Sequence, residues 1–283
     1  MKTYLIPQTI RTKIRWRMRA FRRHTPYLPS FRGHGEYCLT SADTQSDPSS
    51  GGRLPVPPRE LRVSYGNSEE QYLTSGKEHV DTMVNHLKEG GYDIAEARRI
   101  LDFGCGDGRM TRHFPDVAPQ AECWGTDISS RLIRWCRHNL SPRINFAMTT
   151  TTPHLPFPDG HFDLVVGGSI FTHIEDLEQA WLLELARITA PGGRLYITIH
   201  DESTLEILQT QRQDHWLAKV LFSSVSWKKH GDKFQMMVLG RGDGCQVFYK
   251  IDYFLSLLPP CYEKISHFPK AYGYQSAVVL KRR

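Results

Sequence analysis

The sequence predicts a doubly wound α/β fold with a mostly parallel sheet, and three observations support this prediction. Short apolar runs recur from residue 99 onward, and segments with helical spacing separate them. Strands that alternate with helices of about 10–15 residues form βαβ units, which build parallel sheets. The composition is that of a globular protein, since 40% of the 283 residues are hydrophobic and 23% are charged. No window approaches about 18 consecutive apolar residues, so no transmembrane helix is expected.

The predicted elements follow in order along the chain. A helix that includes Tyr72, Val80 and Leu87 ends at Gly90-Gly91. Strands are predicted at 99–104, 122–127, 144–148, 162–168 and 193–200, helices at 129–139 and 177–188, and final strand-like runs at 261–268 and 275–283. The stripe from Leu177 to Ile188 is expected to face the core.

Charge is unevenly distributed, which indicates a separate N-terminal extension at residues 1–35. This extension holds nine Lys or Arg and no Asp or Glu, whereas the rest of the chain has 27 basic and 30 acidic residues. The core therefore lacks the basic field that steers nucleic acid, and no specific nucleic-acid partner is expected. Ile10, Ile14, Met18 and Phe21 recur at helical spacing. The extension is thus an amphipathic helix on an anionic membrane, a transit peptide, or a solvated or disordered arm.

The remainder divides into a linker at 36–64 and a main domain at 65–283. Residues 40–58 are rich in Ser, Gly, Pro and Asp, which is typical of a flexible linker. Within the main domain, the segment 201–246 is predicted to form a lid or substrate segment. The six cysteines include no C-x-x-C pair, so no metal site is predicted and a reducing, cytoplasmic compartment is expected. The membrane alternative would place the chain at the inner face of a membrane.

A glycine-rich turn after the first predicted strand carries the functional prediction. The stretch ILDFGCGDG ends the strand at Asp102 and continues through Gly104, Gly106 and Gly108, after which a helix is predicted. Glycine lets the backbone turn sharply and approach a ligand closely. The next strand ends in Asp127, whose carboxylate can accept hydrogen bonds from both hydroxyls of a ribose. The order of these features predicts a nucleoside site at the carboxyl ends of the strands.

Three motifs together resemble the class I S-adenosylmethionine-dependent methyltransferases, in particular those with a generic small-molecule methyltransferase domain. They are the G-x-G-x-G turn, PFPDGHFDLVVGGSIFTHI and ELARITAPGGRLYITIHD, and the resemblance covers roughly residues 65–200. It implies a seven-stranded sheet in the order 3-2-1-4-5-7-6 with an antiparallel last strand. It also implies S-adenosyl-L-methionine as cofactor and in-line methyl transfer to a small-molecule, saccharide or lipid-linked acceptor.

The resemblance also assigns roles to individual residues. The cofactor would be bound by Asp102, Gly104, Cys105, Gly106, Asp127, Ile128, Thr149, Gly168 and Ser169. Asp102 and the turn would face the methionine moiety, and Asp127 would hold the ribose. Ile128 would pack on the adenine, while a Thr hydroxyl or backbone carbonyl near Thr149 would replace the acid that many members have there. Gly168 and Ser169 would border the transferred methyl group.

Further candidates complete the predicted site. Lys77 or Arg109 would pair with the carboxylate of the cofactor. His173 and His200 follow the fourth and fifth strands and are candidate bases for a hydroxyl acceptor, with a satisfied polar or capping histidine as the alternative for each. Cys105 has no base nearby in sequence, so no covalent role is expected.

Two other functions remain open at this stage. One is a nicotinamide-dependent oxidoreductase, against which the missing G-x-G-x-x-G spacing counts. The other is a non-catalytic scaffold at a membrane surface. The oligomeric state does not follow from the sequence.

Overall fold

The structure, a computed structural model, describes residues 54–62 and 68–283. The helices are α1 (Glu69–Glu89), α2 (Phe114–Val117), α3 (Ser130–Asn139), α4 (Glu178–Ile188), α5 (Glu202–Thr210), α6 (Trp216–Ser223), α7 (Val225–His230) and α8 (Ile251–Ser256). The strands are β1 (Arg99–Phe103), β2 (Glu122–Asp127), β3 (Asn145–Met148), β4 (Phe162–Gly167), β5 (Thr189–Ile199), β6 (Met236–Leu239), β7 (Gln246–Tyr249), β8 (Tyr262–Tyr272) and β9 (Gln275–Arg282). The predicted extension at 1–35 lies outside the described residues, as does most of the predicted linker.

Seven strands form one sheet in the order β3-β2-β1-β4-β5-β9-β8. The first five pair in parallel, and β9 is antiparallel to both β5 and β8. Since β8 and β9 are the sixth and seventh strands of this sheet, the predicted order 3-2-1-4-5-7-6 is confirmed. β6 and β7 form a separate antiparallel hairpin.

The strands are buried on both faces, which explains their continuous apolar runs. Leu101, Val165 and Leu195 contribute to one core cluster, together with Trp181 of α4. The alternate positions contribute to a second cluster on the other face, which includes Ile100, Leu164 and Tyr196 of the strands and Val80 of α1. Because the five parallel strands end at one edge, Asp102 and Asp127 come to the same side of the sheet.

Three local predictions were wrong in detail. Leu177 precedes α4 at φ +60° and is 53% exposed, so it does not face the core. The helix expected after Gly108 is only a 3-10 turn at Thr111–His113 and the four-residue α2, which ends just before Pro119, a residue that disfavours helix in its neighbour. β5 begins at Thr189, with a register irregularity before Arg194.

The segment after β5 packs against the carboxyl edge of the sheet. It contains α5, α6 and α7 and the β6–β7 hairpin, so it extends beyond the predicted limit of residue 246. The hairpin joins the edge through a bridge between His200 and Phe248 and through a hydrogen bond from Val247 N to Thr172 O, 2.9 Å. This insertion therefore covers the ends of β4 and β5. None of the helices in the described part of the chain is long and apolar enough to span a bilayer.

Candidate functional site

The glycine turn after β1 folds back onto the end of β2. The backbone N–H groups of Gly104 and Cys105 both donate to Thr126 O, at 2.7 and 2.8 Å. Gly104 has φ +80°, and a Cβ there would lie 2.0 Å from Cδ1 of Ile170. The turn thus requires glycine for both its conformation and its contact with Ile170.

Asp127 anchors the turn from the end of β2. Its Oδ2 accepts from Gly106 N at 2.9 Å, and its Oδ1 accepts from Ser129 N at 2.7 Å. An ionised carboxylate has about four lone-pair sites, so acceptor capacity remains after these two bonds. Burial raises the pKa of Asp127, while the two backbone donors lower it.

Asp102 lies at the end of β1 and is 4% exposed. The Thr111 hydroxyl donates to Asp102 Oδ2 at 2.6 Å. Burial raises the pKa of Asp102 to about 6, against the lowering effect of Thr111 and of the Arg109 charge. Two predicted acids therefore sit at adjacent strand ends, and burial raises the pKa of each.

The first helix forms a wall beside the turn. A Cβ on Gly76 of α1 would lie 2.3 Å from Arg109 O, so the helix approaches the backbone after the turn as closely as glycine allows. Arg109 is 6% exposed and donates to the Tyr272 hydroxyl and to Ser75 Oγ at 3.4 Å. Lys77 instead forms an ion pair with Asp81, four residues along α1, on the protein surface. Of the two predicted cations, Arg109 belongs to the site wall.

The predicted adenine side forms at the ends of β2 and β3. Thr149 donates its backbone N–H to Asp127 O at 3.0 Å and is buried. Ile128 follows Asp127 directly and is half-buried. The structure thus brings Asp127, Ile128 and Thr149 together.

A network of neutral polar side chains joins the ends of β4, β5 and β9. Ser169 donates its backbone N–H to Thr198 Oγ1 at 2.7 Å, and Thr198 donates to Gln275 Oε1 at 2.6 Å. Gln275 closes the ring by donating from Nε2 to Ser169 Oγ at 2.8 Å. Gly168 stands beside this ring, where an added Cβ would have only ordinary contacts, 3.6 Å from Met110 Sδ. Sequence reasoning identified Ser169 and Gly168 but missed Thr198, whose only signal was its position near the end of a strand.

The two candidate bases have different environments. His173 is half-buried, and its Nδ1 lies 2.8 Å from Cys245 O. Because a carbonyl only accepts, Nδ1 carries the proton and the neutral ring has its lone pair on Nε2. His200 is 1% exposed, and burial lowers its pKa to about 3. Its Nδ1 has no hydrogen-bond partner among the described residues. Of the two histidines, only His173 is therefore partly exposed to solvent.

Cys105 lies in the glycine turn and is buried, with 7% of its surface exposed. Burial raises the pKa of its thiol well above the ordinary value. The group is therefore a poor nucleophile in this conformation.

The sheet order β3-β2-β1-β4-β5-β9-β8, with its antiparallel β9, is that of the Rossmann-like methyltransferase fold. Residues 101–197 match the family model described as a methyltransferase domain, and this match confirms the resemblance seen in the sequence. An uncharacterised methyltransferase of Schizosaccharomyces pombe is 36% identical over 110 residues, which are 35% of this chain and 39% of the relative. A ubiquinone/menaquinone biosynthesis C-methyltransferase of Burkholderia cenocepacia is 33% identical over 133 residues, which are 41% of this chain and 53% of the relative. The chain thus spans about half or less of the length of these curated relatives.

Solved structures show the same fold. A protein of Pyrococcus horikoshii superposes with a TM-score of 0.56 at 19% identity, over 77% of this chain and 93% of that one. Magnesium protoporphyrin IX methyltransferase of Synechocystis, solved with bound S-adenosylhomocysteine, superposes with a TM-score of 0.51 at 17% identity, over 80% and 92% of the two chains. The antiparallel β8–β9 pair thus belongs to the methyltransferase type of α/β sheet.

Proposed function

We propose that this chain is an S-adenosylmethionine-dependent methyltransferase that acts on a small hydroxyl-bearing acceptor. One observation carries the proposal: the region that matches the methyltransferase domain contains a glycine turn flanked by two acids, the buried Asp102 and the half-buried Asp127. Magnesium protoporphyrin IX methyltransferase, which shares the fold, was solved with S-adenosylhomocysteine, and this supports the choice of cofactor.

The residues at the turn fit this cofactor. Gly104 gives the turn the positive φ and the close contact with Ile170 that shape it, and Asp127 retains acceptor capacity for the ribose hydroxyls. Asp102 would attract the ammonium group of the methionine moiety, and Arg109 its carboxylate. Ile128 would pack on the adenine, with the Thr149 region at its edge. When bound, S-adenosylmethionine supplies an electrophilic methyl group on a sulfonium.

The acceptor side would be built by the chain's own polar groups. The Ser169–Thr198–Gln275 ring would orient the acceptor beside Gly168, where the backbone carries no side chain. The insertion after β5 would exclude water from this end of the site. Alignment of the acceptor with the methyl group can lower the activation free energy of a displacement by about 7–11 kcal/mol. His173 would accept the acceptor's hydroxyl proton at Nε2, because its hydrogen bond to Cys245 O holds the proton on Nδ1.

Neutral hydroxyl and amide groups suit a polar, hydroxylated acceptor of the saccharide type better than a charged one. Such groups pair with hydroxyls without the desolvation cost of a buried charge. Two relatives support small-molecule chemistry by their names, the ubiquinone/menaquinone C-methyltransferase and the magnesium protoporphyrin IX methyltransferase.

Calorimetry with S-adenosylhomocysteine tests the cofactor. We expect micromolar-range binding that Asp127→Ala abolishes. Asp163→Ala is the matched control, because the Asp163 carboxylate also accepts two backbone N–H groups, at 2.8 and 2.9 Å, but at the opposite edge of the sheet. An absence of binding to the wild-type chain would remove the proposal and favour a non-catalytic scaffold, and a fluorescence titration with NADH would test the oxidoreductase alternative.

Transfer of a tritiated methyl group into fractionated cell extract, with hydroxylated acceptors tried first, tests the reaction. His173→Gln should lower kcat while leaving S-adenosylhomocysteine binding intact. An unchanged rate would exclude His173 as the base.

We also propose that the chain meets an anionic membrane surface, with the basic extension at residues 1–35 as one contact. The described residues support this with α6, where Trp216 and Val220 are 54% and 44% exposed on one helix face beside the exposed Lys219. An aromatic residue with neighbouring lysines suits a lipid headgroup region. Sedimentation with anionic liposomes should retain the full chain, and retention should fall when residues 1–35 are removed or Trp216 is replaced by Ser. Equal retention on uncharged liposomes would contradict the proposal.

A further inference from the structure

Residues 54–62, here called the strap, lie against the methyltransferase domain even though the sequence predicted a linker there. Arg112 is 3% exposed and donates from Nη2 to Leu54 O at 2.6 Å and to Pro55 O at 2.7 Å. Pro57 and Leu61 of the strap are buried. The strap is therefore docked through both backbone hydrogen bonds and apolar packing.

Tyr72 of α1 connects the strap to the interior. The guanidinium carbons of Arg62 and Arg112 each lie over the Tyr72 ring, 5.8 Å from its centre. The ring is completely buried, so these cation–π contacts are largely removed from water, where they are strongest. The Tyr72 ring thus contacts Arg62, which belongs to the strap, and Arg112, which is hydrogen-bonded to the strap.

The other end of Tyr72 reaches the glycine turn. Its hydroxyl donates to Asp107 Oδ1 at 3.0 Å and approaches Asp107 O at 3.3 Å. Asp107 stands between Gly106 and Gly108 and is 3% exposed. Burial raises the pKa of Tyr72, so the phenol keeps its proton and remains a donor. A continuous series of contacts therefore leads from the strap through Arg112 and Tyr72 to the turn.

We propose that the strap and Tyr72 are positioning elements of the cofactor site: they fix Asp107, so the affinity for the nucleoside depends on the strap being docked. The inference rests on the proposed function, which makes the glycine turn the nucleoside site. Tyr72 acts through Asp107 and has no contact with the reacting atoms. Since coupling between two sites is reciprocal, a bound nucleoside also stabilises the docked strap.

The first test compares two phenol deletions on the full chain, with S-adenosylhomocysteine as the probe. Tyr72→Phe removes the bond to Asp107 and should weaken binding about 5- to 10-fold. Tyr196→Phe is the matched control, because Tyr196 is also buried and its hydroxyl lies 3.1 Å from His86 Nδ1, near the other end of α1. The control should change affinity by less than about twofold while lowering Tm by a similar amount. Equal affinities in the two variants would overturn the inference.

The second test separates the strap from Tyr72. Leu61→Asp places a charge at a buried strap position and should weaken binding several-fold without altering Tyr72. Combined with Tyr72→Phe, it should add less than its separate effect, since both act through one series of contacts. S-adenosylhomocysteine should also slow tryptic cleavage at the exposed Arg59 in the wild-type chain, and much less in Tyr72→Phe. Cleavage that ignores the ligand, or strictly additive effects, would refute the coupling, whereas a wild-type chain that binds no ligand would refute the proposed function itself.

Discussion

The protonation of Asp102 should set the pH dependence of nucleoside binding. Burial raises the pKa of this carboxyl from 3.8 to about 6, partly opposed by the Thr111 hydroxyl and the charge of Arg109. The methionine moiety of the ligand carries an ammonium group, which is attracted by the ionised form of Asp102 and not by the neutral acid. Binding should therefore weaken as the pH falls through 6.

The magnitude follows from the ionised fraction. With a pKa of about 6, Asp102 is about nine-tenths ionised at pH 7 and about one-tenth ionised at pH 5, so the apparent Kd should rise about 10-fold. The free protein shows the opposite trend, because a raised carboxyl pKa means that the folded state holds its proton more tightly than the unfolded state. The free energy of unfolding of the unliganded protein should therefore fall as the pH rises from about 4 to about 6, by about 3 kcal/mol in total for this group.

Calorimetry with S-adenosylhomocysteine from pH 5 to 8 at constant ionic strength measures the effect. Asp102→Asn should flatten the curve, and the unliganded variant should be at least as stable as the wild type at pH 7. Thr111→Val removes a hydrogen bond that lowers the Asp102 pKa, so the midpoint should move to higher pH. A flat wild-type curve, or a midpoint that Thr111→Val leaves in place, would refute the reasoning.

Three further expectations concern Gly104 of the turn, the loop before β4 and the thiol of Cys105. Gly104→Ala should abolish S-adenosylhomocysteine binding in calorimetry, because the residue has φ +80° and its Cβ would meet Ile170. Adding Ile170→Ala to this variant should restore only part of the affinity, since the backbone strain remains. Glu184→Gln should lower the free energy of unfolding by about 1–3 kcal/mol in urea titrations without changing ligand affinity. The reason is that the Glu184 carboxylate accepts hydrogen bonds from Arg187, which in turn donates to Leu155 O in the loop before β4. Cys105 should resist alkylation by iodoacetamide at pH 8 in the folded chain, since burial raises the pKa of its thiol. Mass spectrometry measures the alkylation, and rapid labelling would contradict the buried position.

The sheet could be predicted because its strands are buried on both faces. Runs such as ILDF and FDLVVG are apolar apart from one Asp each, which is typical of strands with both sides in the core, and β1 and β4 appear within one residue of their predicted limits. Leu177 shows where this reasoning fails. Its spacing matched the apolar face of α4, but the backbone turns into a left-handed conformation there and the helix begins one residue later. Periodicity describes a helix interior and does not locate its first residue.

The site could be predicted only in its local part. Asp102, the glycine turn and Asp127 could be predicted because each follows or ends a recognisable apolar strand at a characteristic spacing. The Tyr72–Asp107 bond joins residues 35 positions apart, and the Thr198–Gln275 bond joins residues 77 apart, so neither leaves a local pattern. The two histidines could not be ranked from sequence because burial decides between them. His200 lies beneath the β6–β7 hairpin, with its ring stacked on Phe248, whereas His173 remains half-buried.

The two halves of the proposed site are encoded in different parts of the chain. The proposed cofactor half consists of the turn and the polar residues between 102 and 149, all within the matched region at 101–197. The acceptor half depends on Thr198 and Gln275, which lie beyond that region, and on Cys245 O, which holds the tautomer of His173. Similarity to methyltransferases therefore informs the choice of methyl donor far more than the choice of acceptor. Acceptor selectivity should change with substitutions in the insertion and in β9 while the affinity for S-adenosylhomocysteine stays constant, because these residues contribute none of the groups proposed to hold the nucleoside.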